Sequence, residues 1–160
     1  MVVAQAQSAS TQVFGQGCSH PVEPTRRSEL YYTGRPVLGS SVVIHYQAVP
    51  WGSRSVTTTG YLFWGLSNSS VMGGPLPIPA WHFGLPFGSP NCLIYTSSDL
   101  HSGMVSGQLD GRITIPIPNE PHLAGMTIYQ QWVLRYSVDL NGSINTNFYL
   151  TNGGSLTFGY

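Results

Sequence analysis

The fold is decided by residues 127–150, which read TIYQQWVLRYSVDLNGSINTNFYL. Two runs rich in aromatic and β-branched side chains, 127–139 and 144–150, lie on either side of Asn141-Gly142. Such side chains favour strands, and an Asn-Gly pair between two strands is a strong signal for a tight hairpin turn. We therefore predict an antiparallel hairpin whose first strand is the longest in the chain.

Outward from this hairpin, the chain repeats a pattern of short strand-like segments separated by Gly, Pro and Asn. These segments predict further strands at 41–49, 57–66, 92–97, 104–109, 112–117 and 155–158. The pair Asp110-Gly111 predicts a second hairpin turn, and 79–83 fits one helical turn. Short strands at this spacing, with no sustained helical period, predict an all-β protein with a single β-sandwich or jelly-roll-like domain.

The N-terminal residues form a separate feature, an extended arm at 1–16 that precedes the sandwich at 17–160. Residues 2–14 are uncharged and alternate with the period of a strand. Such an arm can form an edge strand of its own sandwich, or it can add to the sheet of a neighbouring copy. The side chains of this assembly strand are Val2, Val3, Ala4, Ala6, Ser8, Ser10, Val13 and Phe14.

Strand addition between copies favours one function, that of a structural subunit of an extracellular homopolymeric filament or surface appendage. A head-to-tail contact does not close on itself, so the partners are other copies of the chain. The charge content supports self-association, because only 8% of the residues are charged and six Arg balance six acidic residues. A surface without net charge lacks the repulsion that keeps proteins apart.

The same charge content argues against two other kinds of partner. Nucleic-acid binding needs a basic surface to neutralise phosphates, and attachment to a membrane surface usually needs a face rich in Lys and Arg. The chain contains no Lys. Its apolar runs also fall short of the roughly 18 residues of a membrane span. We therefore expect no nucleic-acid partner and no membrane span.

The two cysteines, Cys18 and Cys92, can be two buried thiols or one disulfide. The composition is rich in Ser, Thr, Asn and Gly, which is typical of secreted proteins, and there an even number of cysteines favours a bridge. Closing a loop of about 75 residues stabilises a fold by about 4 kcal/mol on the chain-entropy model. We predict a secreted protein with a Cys18–Cys92 disulfide.

Enzyme chemistry finds little support in the sequence. There is no Gly-x-Ser-x-Gly nucleophile motif, no lysine for a Schiff base, and no suggestive pair among the six acidic residues. The histidines are spread singly along the chain, at His20, His45, His82, His101 and His122. We therefore predict no catalytic residue, no metal ligand and no cofactor, and we expect that the protein is not an enzyme.

Aromatic side chains outside the predicted strands suggest an alternative function. Trp64 and Trp132 lie within strands and are expected in the core, whereas Trp51 and Trp81 lie in loops. Exposed loop aromatics can form a platform for carbohydrate or anchor an interface, so the alternative is a secreted carbohydrate- or surface-binding module. The glycosylation sequons are candidate modification sites, and they begin at Asn68 and Asn141.

Several short motifs together carry a family resemblance. In chain order they are Gly15-Gln16-Gly17-Cys18, 34–39 (GRPVLG), Pro90-Asn91-Cys92-Leu93, Ile115-Pro116, Leu123-Ala124-Gly125, Tyr129-Gln130-Gln131 and Thr151-Asn152-Gly153. Over roughly residues 15–160 their order and spacing resemble an uncharacterised family of secreted β-domains common in planctomycete-like environmental bacteria. The resemblance implies a secreted domain with a bridge between Cys18 and Cys92, and it implies no catalytic residues. Asn91 stands where the family pattern has glycine.

Overall fold

A computed structural model describes residues 7–20, 23–49, 56–84, 91–107, 109–140 and 143–160. Within them the prediction of an all-β protein is confirmed, since the only helices are the 3-10 turns Ala80–Phe83 and Pro121–Leu123. In chain order the strands are β1 (Ser10–Phe14), β2 (Glu29–Thr33), β3 (Ser41–Gln47), β4 (Val56–Gly65), β5 (Ser70–Val71), β6 (Gly74–Pro75), β7 (Ile78–Pro79), β8 (Leu93–Ile94), β9 (Leu100–Gly107), β10 (Asp110–Pro116), β11 (Thr127–Leu140), β12 (Ser143–Leu150) and β13 (Gly153–Thr157).

The larger sheet has the strand order β1-β13-β11-β4-β9, with β12 added beside β11. The long strand β11 organises it, because one edge of β11 pairs first with β13 and then with β12, while its other edge pairs with β4. The predicted hairpin of β11 and β12 is confirmed, since the two strands are antiparallel from Leu140 opposite Ser143 to Val133 opposite Leu150. The turn residues Asn141 and Gly142 lie outside the described residues.

The smaller sheet, with the order β10-β3-β2, packs across the larger one. Alternate side chains of β3 and of the middle of β11 point into the core between the sheets and are at most 1% exposed, namely Val42, Ile44, Tyr46, Trp132, Leu134 and Tyr136. The rings of Tyr46 and Trp132 meet edge-on with centres 5.0 Å apart. This pair lies over Gly60 of β4, where a Cβ atom would lie 2.5 Å from the Tyr46 ring.

One side of the sandwich is closed by the corner between β9 and β10. The chain changes sheets between Gly107 and Asp110, because β9 pairs with β4 and β10 pairs with β3. The hairpin turn predicted at Asp110-Gly111 is therefore wrong, since both residues lie inside β10, opposite Gln47 and Tyr46. Gly111 is needed for packing rather than for a turn, because a Cβ atom there would overlap the Tyr46 ring.

The predicted disulfide between Cys18 and Cys92 is confirmed. Both residues are buried, with 0% and 1% of their surface exposed. The Cys18 N–H donates to the carbonyl of Leu150 at 2.8 Å, and the Leu150 N–H donates back to the Cys18 sulfur at 2.9 Å. The bond therefore ties the chain after β1 to the segment before β8, and both to the end of β12.

Strands β2, β5, β6 and β7 were not predicted from the sequence. No strand was expected over β2. β5–β6 and β7–β8 form two small antiparallel ribbons beside the sandwich, and β8 lies within the strand predicted at 92–97. The predicted helical turn is confirmed as the 3-10 helix Ala80–Phe83. Among the described residues, no helix combines the length and the apolar character needed to cross a membrane.

Candidate functional site

The side of the sandwich away from the β9–β10 corner is formed by β1 and β2, the outermost strands of the two sheets. A groove of about 480 Å³ lies between them. Its walls include Gln12 and Val13 of β1 and Tyr31 and Tyr32 of β2. Among the described strands, none pairs with the outer edge of β1 or of β2. We call these two edges and the groove between them the open side.

β1 is held to the sandwich mainly by its backbone. It pairs with β13 from Ser10 opposite Thr157 to Phe14 opposite Gly153. Phe14 is its main side-chain anchor, because its ring meets Tyr95 and Tyr129 edge-on with centres 6.2 Å apart in each case. Val13 is 53% exposed. One edge of β1 thus has a partner strand, and the other edge faces the groove.

The position that β1 occupies is shaped by two glycines at the start of β13. A Cβ atom at Gly153 would meet the Phe14 ring at 2.5 Å, and one at Gly154 would overlap the Tyr32 hydroxyl. Tyr32 is fixed there because its hydroxyl donates to Gln130 Oε1 at 2.7 Å. Burial raises the pKa of Tyr32 far above its usual value, so this hydroxyl keeps its proton. The two glycines therefore leave the space that the Phe14 and Tyr32 rings take.

A short connection, Gly15-Gln16-Gly17, links β1 to the disulfide at Cys18. Gly15 has a left-handed φ of +70°, which glycine adopts without strain. The Gln16 N–H donates to the Tyr95 hydroxyl at 3.0 Å, and Arg27 Nη1 donates to the Gly17 carbonyl at 3.2 Å. The connection is thus held at Gln16 and at Gly17, and the disulfide at Cys18 fixes the chain that follows it.

The outer edge of β2 is partly blocked by the side chain of Asn152. The Leu30 N–H donates to Asn152 Oδ1 at 2.6 Å, and Asn152 Nδ2 donates to the Leu30 carbonyl at 3.4 Å. The amide therefore makes the two hydrogen bonds that a neighbouring strand would make at this point. Sheet edges are commonly protected in this way from unwanted pairing. On the open side, the position better suited to a strand is that of β1.

The structure divides the predicted assembly strand into two parts. Val2, Val3, Ala4 and Ala6 lie outside the described residues. Ser10, Val13 and Phe14 lie in β1, within the sheet of their own chain, and Ser8 is exposed just before it. Within a single chain, β1 is thus an edge strand of its own sandwich.

Of the other predicted site residues, Trp81 and Asn68 lie away from the open side. Trp81 is 62% exposed in the 3-10 helix Ala80–Phe83, and its ring stacks on His82 with centres 3.9 Å apart. Asn68 is exposed in the loop after β4. Trp51 and Asn141 lie outside the described residues. Within the part of the chain that the structure describes, no three His, Cys, Asp or Glu side chains come together as metal ligands would.

The residues of β2 that line the groove were missed in the sequence. No strand was predicted over Glu29, Tyr31 and Tyr32. The alternation of exposed Glu29, buried Leu30 and exposed Tyr31 is a short strand signal. Three residues of alternation are too few to distinguish a strand from a loop, and the pairing with β3 supplies the rest.

Because comparison with known proteins finds no match, the function proposed below is argued from the fold and the open side. No protein-family model, no curated protein and no solved structure matches the chain. The resemblance to secreted β-domains of environmental bacteria stays a prediction.

Proposed function

We propose that the protein is a structural subunit of an extracellular homopolymer in which β1 of one copy takes the β1 position of the next. The observation that carries this proposal is that β1 is an edge strand paired with a single partner strand, β13. Every contact that β1 makes in its own sheet is available to the same strand of a neighbouring copy. Exchange of an identical element is a low-cost route to assembly.

The connection between β1 and the sandwich supports exchange in particular. Cys18 is held by the disulfide and by Leu150, so the change of direction that lets β1 leave falls within Gly15-Gln16-Gly17 and breaks the hydrogen bonds of Gln16 and Gly17. Short connections next to an exchangeable element favour swapping between copies. The Asn152 amide, by contrast, discourages addition of a strand to β2.

The composition supports assembly outside the cell. The formal net charge is zero, so no long-range repulsion keeps copies apart. The disulfide fits an oxidising compartment. Because each copy offers one β1 and one β1 position, exchange between successive copies extends into a filament unless the rotation between copies closes a ring.

A cysteine pair tests whether β1 lies in its own chain or in a neighbour. Ser10 and Thr157 are direct partners across β1 and β13, and Cα atoms of such partners lie about 4.5–5.5 Å apart, within the range of a disulfide. We expect the variant carrying Ser10→Cys and Thr157→Cys, oxidised after assembly, to give a ladder of covalent oligomers on a non-reducing gel. A product of monomer size alone would overturn the proposal.

Two controls make the cross-link result specific. The pair Thr59→Cys and Ser106→Cys joins β4 to β9, which stay in one chain in either arrangement, so this variant should give monomers only. Removal of residues 1–13 should abolish filaments seen by negative-stain microscopy. If the truncated protein does not fold, the cross-linked pair still distinguishes the two arrangements.

The alternative function, binding of a polysaccharide or another surface, is favoured by the exposure of Trp81. Its ring is stacked on His82, and His82 Nδ1 lies 3.1 Å from the Pro79 carbonyl, so the ring is presented in one orientation. This function predicts a monomer that binds polysaccharide and loses affinity when Trp81 is replaced by Ala. Retained binding in Trp81→Ala would exclude this aromatic platform.

A further inference from the structure

A second groove lies at the end of the larger sheet where β4 ends and β9 begins. Trp64, Leu66, Leu100 and Ile128 line it, and it encloses about 650 Å³. Trp64 and Leu100 are direct partners across β4 and β9. Trp64 follows buried Leu62 at the alternate position of β4, so it lies on the inner face of the larger sheet. The smaller sheet, which packs against this face, has only three strands.

The apolar walls of this groove are open to solvent. Leu66 is 72% exposed and Leu100 is 70% exposed, whereas Trp64 is only partly exposed and packs against the core. Small-molecule sites are typically concave and apolar, with a few polar groups that fix the orientation of the ligand. The groove provides the apolar part of such a site.

Asp99 provides a fixed polar group at the rim of the groove. Its Oδ2 accepts hydrogen bonds from the Leu66 N–H at 2.8 Å and from the Ser97 hydroxyl at 2.7 Å. These two bonds lower the pKa of Asp99, so the carboxylate is ionised at neutral pH. Oδ2 accepts both hydrogen bonds, so neither of them involves Oδ1. The second oxygen is therefore placed to accept a hydrogen bond from a ligand.

A second pocket, of about 460 Å³, adjoins the groove and shares Leu66 and Asp99 with it. Ser67, Ser70 and Ser98 are among its lining residues. The Ser67 hydroxyl accepts from the Ser69 and Ser70 N–H groups, at 3.1 Å each, so this loop is ordered by its own hydrogen bonds. Val71 and Met72 also line this pocket. We call the two adjoining pockets together the trough, with Leu66 and Asp99 where they meet.

We infer that this trough binds a neutral saccharide. A pyranose ring presents C–H groups on one face, which pack on Trp64 and Leu100, and O–H groups at its edge, which donate to Asp99 and exchange hydrogen bonds with the serines. Among the described lining residues Asp99 is the one carboxylate, and no Arg is present. An acidic glycan would be repelled at this rim, so the charge of the site selects a neutral ligand.

This inference does not depend on β1 exchange, and it concerns a different site from Trp81. Calorimetry with purified protein should show binding of at least one of three neutral probes, cellohexaose, laminarihexaose or chitohexaose, and none of the acidic probe hexagalacturonate. The variant Asp99→Asn retains an oxygen for the Leu66 and Ser97 bonds but removes the charge. We expect it to lower the affinity about tenfold or more, since hydrogen bonds to charged groups are the stronger ones.

A second variant, Leu100→Ser, removes an exposed wall and should also lower the affinity several-fold without changing thermal unfolding. Ile144→Ser, which shortens another strand residue that is 73% exposed and lies outside both pockets, is the matched control and should bind as the unaltered protein does. Three results would overturn the inference. The first is no binding of any neutral probe, and the second is that Asp99→Asn and Leu100→Ser both bind as tightly as the unaltered protein. The third is preference for the acidic probe. Loss of binding in Trp81→Ala alone would assign the saccharide to the Trp81 platform instead.

Discussion

Gly60 sets how closely the two sheets approach each other. A Cβ atom at this position would lie 2.5 Å from the Tyr46 ring and 3.1 Å from the Trp132 ring. Since Tyr46 and Trp132 are fully buried, neither ring can move aside without displacing the core. We expect Gly60→Ala to lower the free energy of unfolding by about 1–3 kcal/mol, because an overpacked core loses stability by this amount. Urea titrations measure the loss.

Gly74→Ala is the control for this prediction. At Gly74 the nearest atom to an added Cβ is the Val71 carbonyl oxygen, at 3.6 Å, which is an ordinary contact. Its stability should be unchanged or slightly raised, because alanine restricts the unfolded chain. Equal urea midpoints for the two variants would show that the core has room for the methyl group at Gly60.

Two tryptophans show what a sequence can predict about single residues. Both Trp64 and Trp132 lie in strands, and both were expected in the core. Trp132 is fully buried, as expected, whereas Trp64 is only partly buried. The difference arises because Trp132 faces the centre of the smaller sheet and Trp64 faces its margin. Strand patterning predicts which face a side chain takes, but the width of the opposing sheet depends on pairing between distant strands.

Among the elements, β1 depends on one aromatic anchor. Phe14 meets Tyr95 and Tyr129, while the rest of β1 is held by backbone pairing with β13. Phe14→Ala should therefore loosen β1 without unfolding the sandwich. Hydrogen exchange of the β1 amides should become faster, and exchange of the β11 amides should stay slow.

Val13→Ala, in which a half-exposed side chain is shortened, should leave exchange in β1 nearly unchanged. Faster exchange throughout the sandwich in Phe14→Ala would contradict the idea that β1 opens separately. Phe14→Ala should also change the yield of the Ser10–Thr157 cross-link between copies, because the Phe14 ring is needed to hold β1 in whichever copy it lies.

Local signals predicted some elements and misplaced others. The β11–β12 hairpin was predictable because a long alternating run, a turn pair and a second run occur in direct succession. Asp110-Gly111 was misread because the strands on either side belong to different sheets, and glycine there makes room for Tyr46. The open side was not predictable at all, since it requires knowing that β1 and β2, distant from the centre of each sheet, end on the same side.

For the molecule as a whole, the disulfide connects residues 74 positions apart in the sequence. The double variant Cys18→Ala, Cys92→Ala should lose about 4 kcal/mol of stability, because its unfolded chain is no longer restricted by the loop. Urea unfolding measures this loss. Unaltered protein whose disulfide has been reduced should have nearly the same free energy of unfolding as the double variant. The remaining difference is the small contribution of the sulfur contacts that the variant lacks.

Burial of both sulfur atoms also predicts how fast a reductant cleaves the disulfide. Cys18 and Cys92 are almost fully buried, so a dissolved reductant should cleave the bond slowly in the folded protein and rapidly in urea. An unchanged urea midpoint in the double variant, or equally fast reduction in both conditions, would contradict this role. The bond itself was predictable from composition and cysteine count, but its place in the core was not.

The backbone N–H of Tyr160 donates to the Gln7 carbonyl at 3.0 Å, so the residues before β1 lie beside those after β13. A short peptide can therefore join Tyr160 to Gln7, and the chain can be reopened at the β5–β6 turn, where Met72 is 93% exposed. In this circular permutant, β13 and β1 become successive strands of one hairpin. The contacts that the described strands of the two sheets make with each other remain, yet β1 is tethered at both ends, and the permuted chain should form no filaments in negative-stain microscopy.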